Sequence, residues 1–547
     1  MLREDFPRPK FIRPRWKSLD GKWQFCATPD SDFNTSTCNY DLSINIPDAL
    51  INSDDIYSQR ALSDAVTYSK DIKLSQAEVV GTTKICINSV IGDVKIYING
   101  NLAAQRKGIV GNISINISDF VVVGKNQITL FVVRDPLFAP SVIRHPRIAG
   151  SVWLEFSAKS YFENIVTRAA TPNSSFYITG HIINVQDDMR VQVDVTTPEG
   201  KVLNFAYDGK ETLNIRIPIP SPVTLWKVLD GKIYYFKVTL KNSKGGICDT
   251  FHTYAAFRDL AISGTNVFVN SEPIFFRHVT DHYSPSIHEA NLDILKQHLA
   301  TVVALGFNGI VADGFMPSPQ YLYLADRLGL TINAPLLPDG LYSYSEDASK
   351  VIQACITNQI VNNLGIPSLT LWHSYSNFNP GAEFTSYLLN ICKQFDPSII
   401  LVASPGDPIP NLIMNMRLAF STKEDAFKEI SHHLKLSQTL NVPLYYSSIS
   451  MGDLIGAYTS KSADEKQFID TYEFVLGLLM TKNAAGFSYI SMMDSDEHNG
   501  GILDSNGEFK LSNSALASIK EANVRRSMAE LTPILNKINA DKETPKP

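Results

Sequence analysis

The sequence predicts a multidomain β plus α/β chain: two β-sandwiches, then a C-terminal (β/α)8 TIM barrel. Three observations carry that prediction. Short β-branched runs between Gly and Asn turns fill the chain to about residue 262. After about residue 265 the pattern changes to apolar strands alternating with helices of 10 to 15 residues, the rhythm of a parallel α/β unit. At 547 residues the chain is also too long for a single hydrophobic core.

The first unit is expected over residues 1–165, with strands in TTKICINSV, DVKIYING and NQITLFVVRD. Asn99-Gly100 predicts a tight hairpin, because Asn-Gly supplies two positive φ angles cheaply. A second sandwich of immunoglobulin size is expected over 166–264, from NIVTRAA, SSFYITGHIINV, MRVQVDVTT, TLNIRIPIP and IYYFKVTL. The barrel is expected over 265–532. It opens with a helix from Ser286 to Leu305 that lines up Leu292, Leu295, Leu299 and Val302. Strand and helix then alternate through GFNGIVADG, PQYLYLADRLG, LTINAP, LTLW, FTSYLLNICKQF, SIILVAS, NVPLYYSS, FVLGLLMTK and AAGFSYISM, ending in a helix at about 511–531. Roughly eight repeats favour a closed barrel over an open sheet. Residues 533–547 form a polar tail with nothing to bury.

Composition excludes several functions. The chain is 44% hydrophobic and 19% charged, with a net charge of −6 spread along it, which argues against a nucleic-acid surface. No run approaches 18 apolar residues, and the charged, proline-broken opening lacks a signal peptide's apolar region, so a cytoplasmic protein is expected. The sequons at Asn34, Asn112, Asn116 and Asn173 then read as chance. Six scattered cysteines have neither metal nor redox spacing. No phosphate-binding glycine motif is present, so no cofactor is expected. His278 and His282 share a strand face with Thr280, but no third ligand is evident and no metal is expected.

Six segments in order resemble glycoside hydrolase family 2, the β-glucuronidases and β-galactosidases. They are SLDGKWQF, DVKIYINGNLAAQRKG, AGSVWLEF, LWKVLDGKIYYFKVTL, EPIFFRHVTDHY and FNGIVADGFMPSPQYLYLADRLGL. The resemblance spans nearly the whole chain and implies a jelly-roll first sandwich, an immunoglobulin-like second one and a glycosidase barrel. It also implies a retaining mechanism with two glutamates about 5 to 5.5 Å apart. Where the family has Trp-Ser-x-Gly-Asn-Glu, Trp372 keeps the first place, while Ser376 and Asn377 replace the asparagine and the acid/base glutamate. In PLYYSSIS, Ser448 fills the place of the nucleophile. The family's sugar-holding residues are eroded as well. Only His282 survives on the first strand, Asp313 stands among changed residues on the second, and Ile490 replaces a stacking tryptophan ahead of Asp494.

These losses point to a catalytically inactive member with a structural or interaction role in a larger assembly, cytoskeletal or organellar. Protein partners are expected, with neither nucleic acid nor membrane. The alternatives are weak carbohydrate binding at the vestigial pocket and a hydrolase with relocated carboxylates. Asp281, Asp313, Glu383, Asp407, Asp453 and Asp494 lie near strand ends, where Asp281 and Asp313 are expected to approach each other. The Tyr445-Tyr446 pair is a candidate for sugar stacking or an interface, with Tyr445 expected in the core.

Overall fold

The computed structural model describes residues 6–28, 38, 40, 42–48, 63–107, 110–134, 145–282, 292–336, 346–373, 382–403, 412–418, 420, 422–449, 462–481, 484–494 and 500–524. The first sandwich packs two antiparallel sheets. Four strands run in the order Trp16–Ser18, Val152–Ser157, Thr82–Val90, Val110–Asn116. Six run Leu42–Ile46, Gly21–Thr28, Ala65–Leu74, Gly124–Val133, Asp93–Ile98, Asn101–Arg106. Asn99 (φ 53°) and Gly100 (φ 80°) turn the expected hairpin. Trp23, Phe25, Ile85, Ile96 and Leu130 fill the space between the sheets.

The second sandwich sets Tyr161–Ala170, Ser175–Ile183 and Thr212–Pro218 against Val202–Asp208, Arg190–Thr196, Tyr234–Lys241 and Ile247–Ala255. Alternation explains its core: Val191, Val193 and Val195 of RVQVDVT meet Leu213, Ile215 and Ile217 of TLNIRIP.

Eight parallel strands form the barrel: β1 Phe276–His282, β2 Gly309–Asp313, β3 Thr331–Pro335, β4 Leu369–His373, β5 Leu401–Val402, β6 Met414–Leu418, β7 Leu444–Ile449 and β8 Gly486–Tyr489. The parallel bridge from Val402 to Ile413 closes the ring. Outside lie helices α1 Leu292–Ala304, α2 Pro319–Leu328, α3 Glu346–Asn362, α4 Ala382–Phe395, α5 Lys423–Leu440, α6 Ser462–Thr481 and α7 Asn513–Val524. Helix α2 begins where Ser318 accepts a bond from the Tyr321 amide ahead of Pro319, and ends at Gly329 (φ 73°). Helix α1 carries Leu295, Leu299 and Val302 into the core on the face the sequence indicates. A three-stranded meander, Leu260–Ser263, Asn266–Val269 and Glu272–Ile274, plugs the barrel floor with Val267 against Phe276, Val311, Leu371 and Tyr445.

The arm at residues 6–13 fastens the parts together. Phe6 packs edge-on against Trp16 and Trp153, and Phe11 stacks on Phe251 at 4.9 Å. Arg13 is buried between Glu155 of the first sandwich (2.6 Å) and Asp249 of the second (3.0 Å). Lys10 donates to the carbonyls of Thr167, Tyr254 and Gly365.

Candidate functional site

Neighbouring strand residues point to opposite faces, so each barrel strand sends alternate side chains inward. Above the apolar floor the inward residues form a polar layer in which His278 is central. Its Nε2 lies 2.9 Å from Thr331 Oγ1, which itself donates to the Asn308 carbonyl, so Nε2 carries the proton. Its Nδ1 therefore accepts from the Tyr445 hydroxyl at 2.9 Å. Burial, helped by Arg277, lowers its pKa to about 3 and keeps it neutral. Thr280 and Ser488 hydroxyls meet at 2.7 Å, and Asn415 accepts from the Ser447 amide at 3.0 Å.

Gly309 of β2 makes room for this layer. A Cβ there would meet Thr331 Oγ1 and the Thr331 carbonyl, and His278 Cδ2 at 2.6 Å. Gly309→Ala is therefore expected to lower the unfolding free energy by an overpacking cost of about 1 to 3 kcal/mol, and the denaturant midpoint with it. Equilibrium urea unfolding checks it, and an unchanged midpoint would show that the layer yields freely.

At the mouth, the C-terminal ends of the strands bring together His282, Asp313, His373 and Arg417. His282 Nδ1 is 3.2 Å from Asp313 Oδ2, as the β1–β2 register of His282 against Asp313 requires. His373 donates its Nδ1 proton to Asn333 Oδ1 at 2.9 Å, which leaves Nε2 a buried acceptor with no hydrogen-bond partner among the described residues. Burial, partly offset by Asp313, lowers the His373 pKa to about 4. Arg417 lies between Met416 and Leu418, both packed in the outer core, so it takes the inward side of β6 and is exposed there.

Ser448 pairs in register with Arg417. Tyr446 and Ile449 both belong to the outer core, and a bulge in β7 between them sets Ser447 and Ser448 in the space of one inward residue. Both serines are half-buried. Ile490 follows β8, with its amide bonded to the Ile449 carbonyl.

Two expected pocket residues belong elsewhere. Asp281 faces the helices, where its Oδ2 accepts from Tyr321 (2.9 Å) and lies 3.0 Å from His298 Nε2. Its register partner is Ala312, not Asp313, so the two aspartates do not converge. Trp372 also turns outward into the helix-packed core, because Leu371 and His373 on either side take the inward places. Asp494 is held by Lys510 (2.8 Å) and the Gly501 amide in the segment after β8. Glu383 is exposed in the first turn of α4. Tyr445 is buried in the barrel interior, while Tyr446 turns outward to His433. Ser376, Asn377, Asp407 and Asp453 lie outside the described residues. Among the described residues, no three His, Cys, Asp or Glu side chains converge as a metal site.

His373, Asn333 and Arg417 went unread in the sequence. The strand MNMRL carries the signal that would have found Arg417, since Met414, Met416 and Leu418 alternate with Asn415 and Arg417.

No family model matches the chain. Among curated proteins, two from Formosa agariphila, both named "Putative beta-glucuronidase", are each 22% identical, over 425 and 357 residues or 70% and 62% of this chain. The chain spans about half the length of the first of these relatives and 34% of the second. Solved structures align over far more of their length. The β-glucuronidase of Bifidobacterium dentium, complexed with coumarin-3-O-glucuronide, superposes with a TM-score of 0.77 at 15% identity, covering 95% of this chain and 98% of that one. That of Dictyoglomus thermophilum gives 0.73 at 15% identity, over 95% and 99%. That of Ruminococcus gnavus in complex with D-glucuronic acid gives 0.74 at 13% identity, over 95% and 100%. Two β-sandwiches, a closed eight-stranded barrel and these superpositions agree: the chain has the fold of the β-glucuronidases.

Proposed function

We propose that this glycosidase-fold protein is catalytically inactive and serves as a structural or interaction component of a larger assembly, with the cytoskeleton the first place to look. One observation carries the reading. The eight described barrel strands hold two carboxylates, Asp281 and Asp313, and only Asp313 faces the mouth, beside His282. A retaining glycosidase needs two carboxylates facing each other across the sugar. The resemblance to glycoside hydrolase family 2 sets Ser448, a hydroxyl, in the place of the nucleophilic carboxylate, which supports the same reading. Loss of a general acid alone forfeits about 10² to 10⁴ in rate. The purified protein is expected to release aryl alcohol from aryl β-glucuronides and β-galactosides no faster than buffer. Turnover that disappears in Asp313→Asn would instead establish a hydrolase with relocated carboxylates.

A second reading, carbohydrate binding without catalysis, is favoured by His373, whose buried Nε2 is an acceptor without a hydrogen-bond partner among the described residues and could take a sugar hydroxyl. Calorimetric titration with glucuronate and galactosides separates the two. Saturable binding lost in His373→Phe favours the lectin-like reading. Protein partners captured from extract and undisplaced by those sugars favour the structural one.

A further inference from the structure

On the outer face of the six-stranded sheet, two thiols share one neighbour. Trp23 and Phe25 of the strand Gly21–Thr28 point into the sandwich core, so Cys26 points the other way. Its register partner on the next strand is Thr67. Directly opposed residues of an antiparallel pair have Cβ atoms about 4.5 to 5.5 Å apart. Cys38 reaches the same threonine, its Sγ 3.5 Å from Thr67 Oγ1. Leu42 pairs with Phe25 on the neighbouring strand, close in sequence to Cys38 and Tyr40. Tyr40 lies over the same spot. Burial first, then the nearby Cys38 and Cys26, push its hydroxyl above the ordinary phenol range, and it hydrogen-bonds Cys38.

We propose that Cys26 and Cys38 form a peroxide-responsive dithiol that closes to a disulfide. Cys38 is half-exposed and Cys26 is buried, so Cys38 meets the oxidant first. Its thiolate attacks hydrogen peroxide, breaking the O–O bond to give a sulfenic acid and, after protonation, one water. The Cys26 thiol then attacks that sulfur, the S–O bond breaks, and a second water leaves as the disulfide forms. Two thiols and one peroxide thus yield one disulfide and two waters. Closure requires the two sulfurs to meet at about 2.05 Å, so both side chains must turn about χ1 toward each other. The other described cysteines lie apart from this pair: Cys86 is in the opposite sheet beside Ser114, Cys248 is in the second sandwich, and Cys355 and Cys392 are in the barrel helices α3 and α4.

The test treats the reduced full-length protein with stoichiometric hydrogen peroxide, alkylates it, digests it without reductant and analyses the peptides by mass spectrometry. The expected product is a Cys26–Cys38 linked peptide, lighter by two hydrogens and separated by a reducing phosphine. Alkylation of both residues should be lost together while Cys248 labelling holds. In Cys38→Ser, Cys26 should remain alkylatable after the same treatment. Both thiols staying free, Cys38 passing to a sulfinic acid without Cys26, or linkage only between two chains would each overturn the proposal. Because the decisive reading is on the unsubstituted protein, a variant that folds poorly does not blur it.

Discussion

Arg13→Ala should destabilise the protein by about 3 to 5 kcal/mol, the usual cost of removing one partner from a buried charge network. The guanidinium donates to Glu155, to Asp249 and to the Phe162 carbonyl, and all three side chains are nearly inaccessible. Burial alone would lower the Arg13 pKa, yet the two acids outweigh it and hold the group more firmly protonated than usual. Burial alone would likewise raise the Glu155 carboxyl, and Arg8 and Arg13 outweigh it to hold Glu155 below its ordinary range. The variant leaves two buried carboxylates short of their main cation. Urea unfolding followed by tryptophan fluorescence measures the loss; Trp153, whose indole donates to Glu155 at 2.9 Å, is a local reporter. A shift below about 1 kcal/mol would mean that water enters and solvates both acids.

Acid should destabilise the barrel through its two inward histidines. His278 and His373 have folded pKa values of about 3 and about 4, below the ordinary histidine value, because both are buried as neutral rings. Below about pH 6.5 the unfolded chain takes up protons that the folded one refuses, so stability falls as pH falls. The slope is about 1.4 kcal/mol per pH unit for each ring, until pH approaches its folded pKa. Asp326, raised to about 6 by burial, works in the opposite sense, its contribution growing as pH drops through 6. The clean measurement is therefore a difference: wild type should lose more stability between pH 6 and 4 than His278→Gln does. Equal slopes would show that His278 is protonated in the folded state.

The architecture was legible because periodicity is local. The alternation in RVQVDVT and the apolar face of α1 each follow from a few neighbouring residues. The mouth was legible only in part. The sequence places 278, 280 and 282 on one face, and that same parity sends Asp281 to the other, so its expected approach to Asp313 contradicted the strand's own geometry. The turn of Trp372 away from the pocket follows from parity as well. Strand β6 escaped because a five-residue MNMRL is short and half polar, and Arg417 escaped with it. The role of Arg13 was beyond local reading, since its two acids lie 142 and 236 positions away.

Those separations bear on how the molecule is assembled during synthesis. Lys10 ends on the Gly365 carbonyl, 355 positions downstream. At about 5 to 20 residues per second, a ribosome takes roughly 20 to 70 seconds to cover that distance. Throughout that interval the segment around Lys10 has been made while its last docking site is still untranslated. Each sandwich can mature on its own, but the clasp across all three units closes only after most of the polypeptide exists. Phe6 and Phe11 are covered earlier, once Trp153 and Phe251 have been made, so a chaperone that recognises short aromatic-basic stretches has its best target there before the second sandwich is complete.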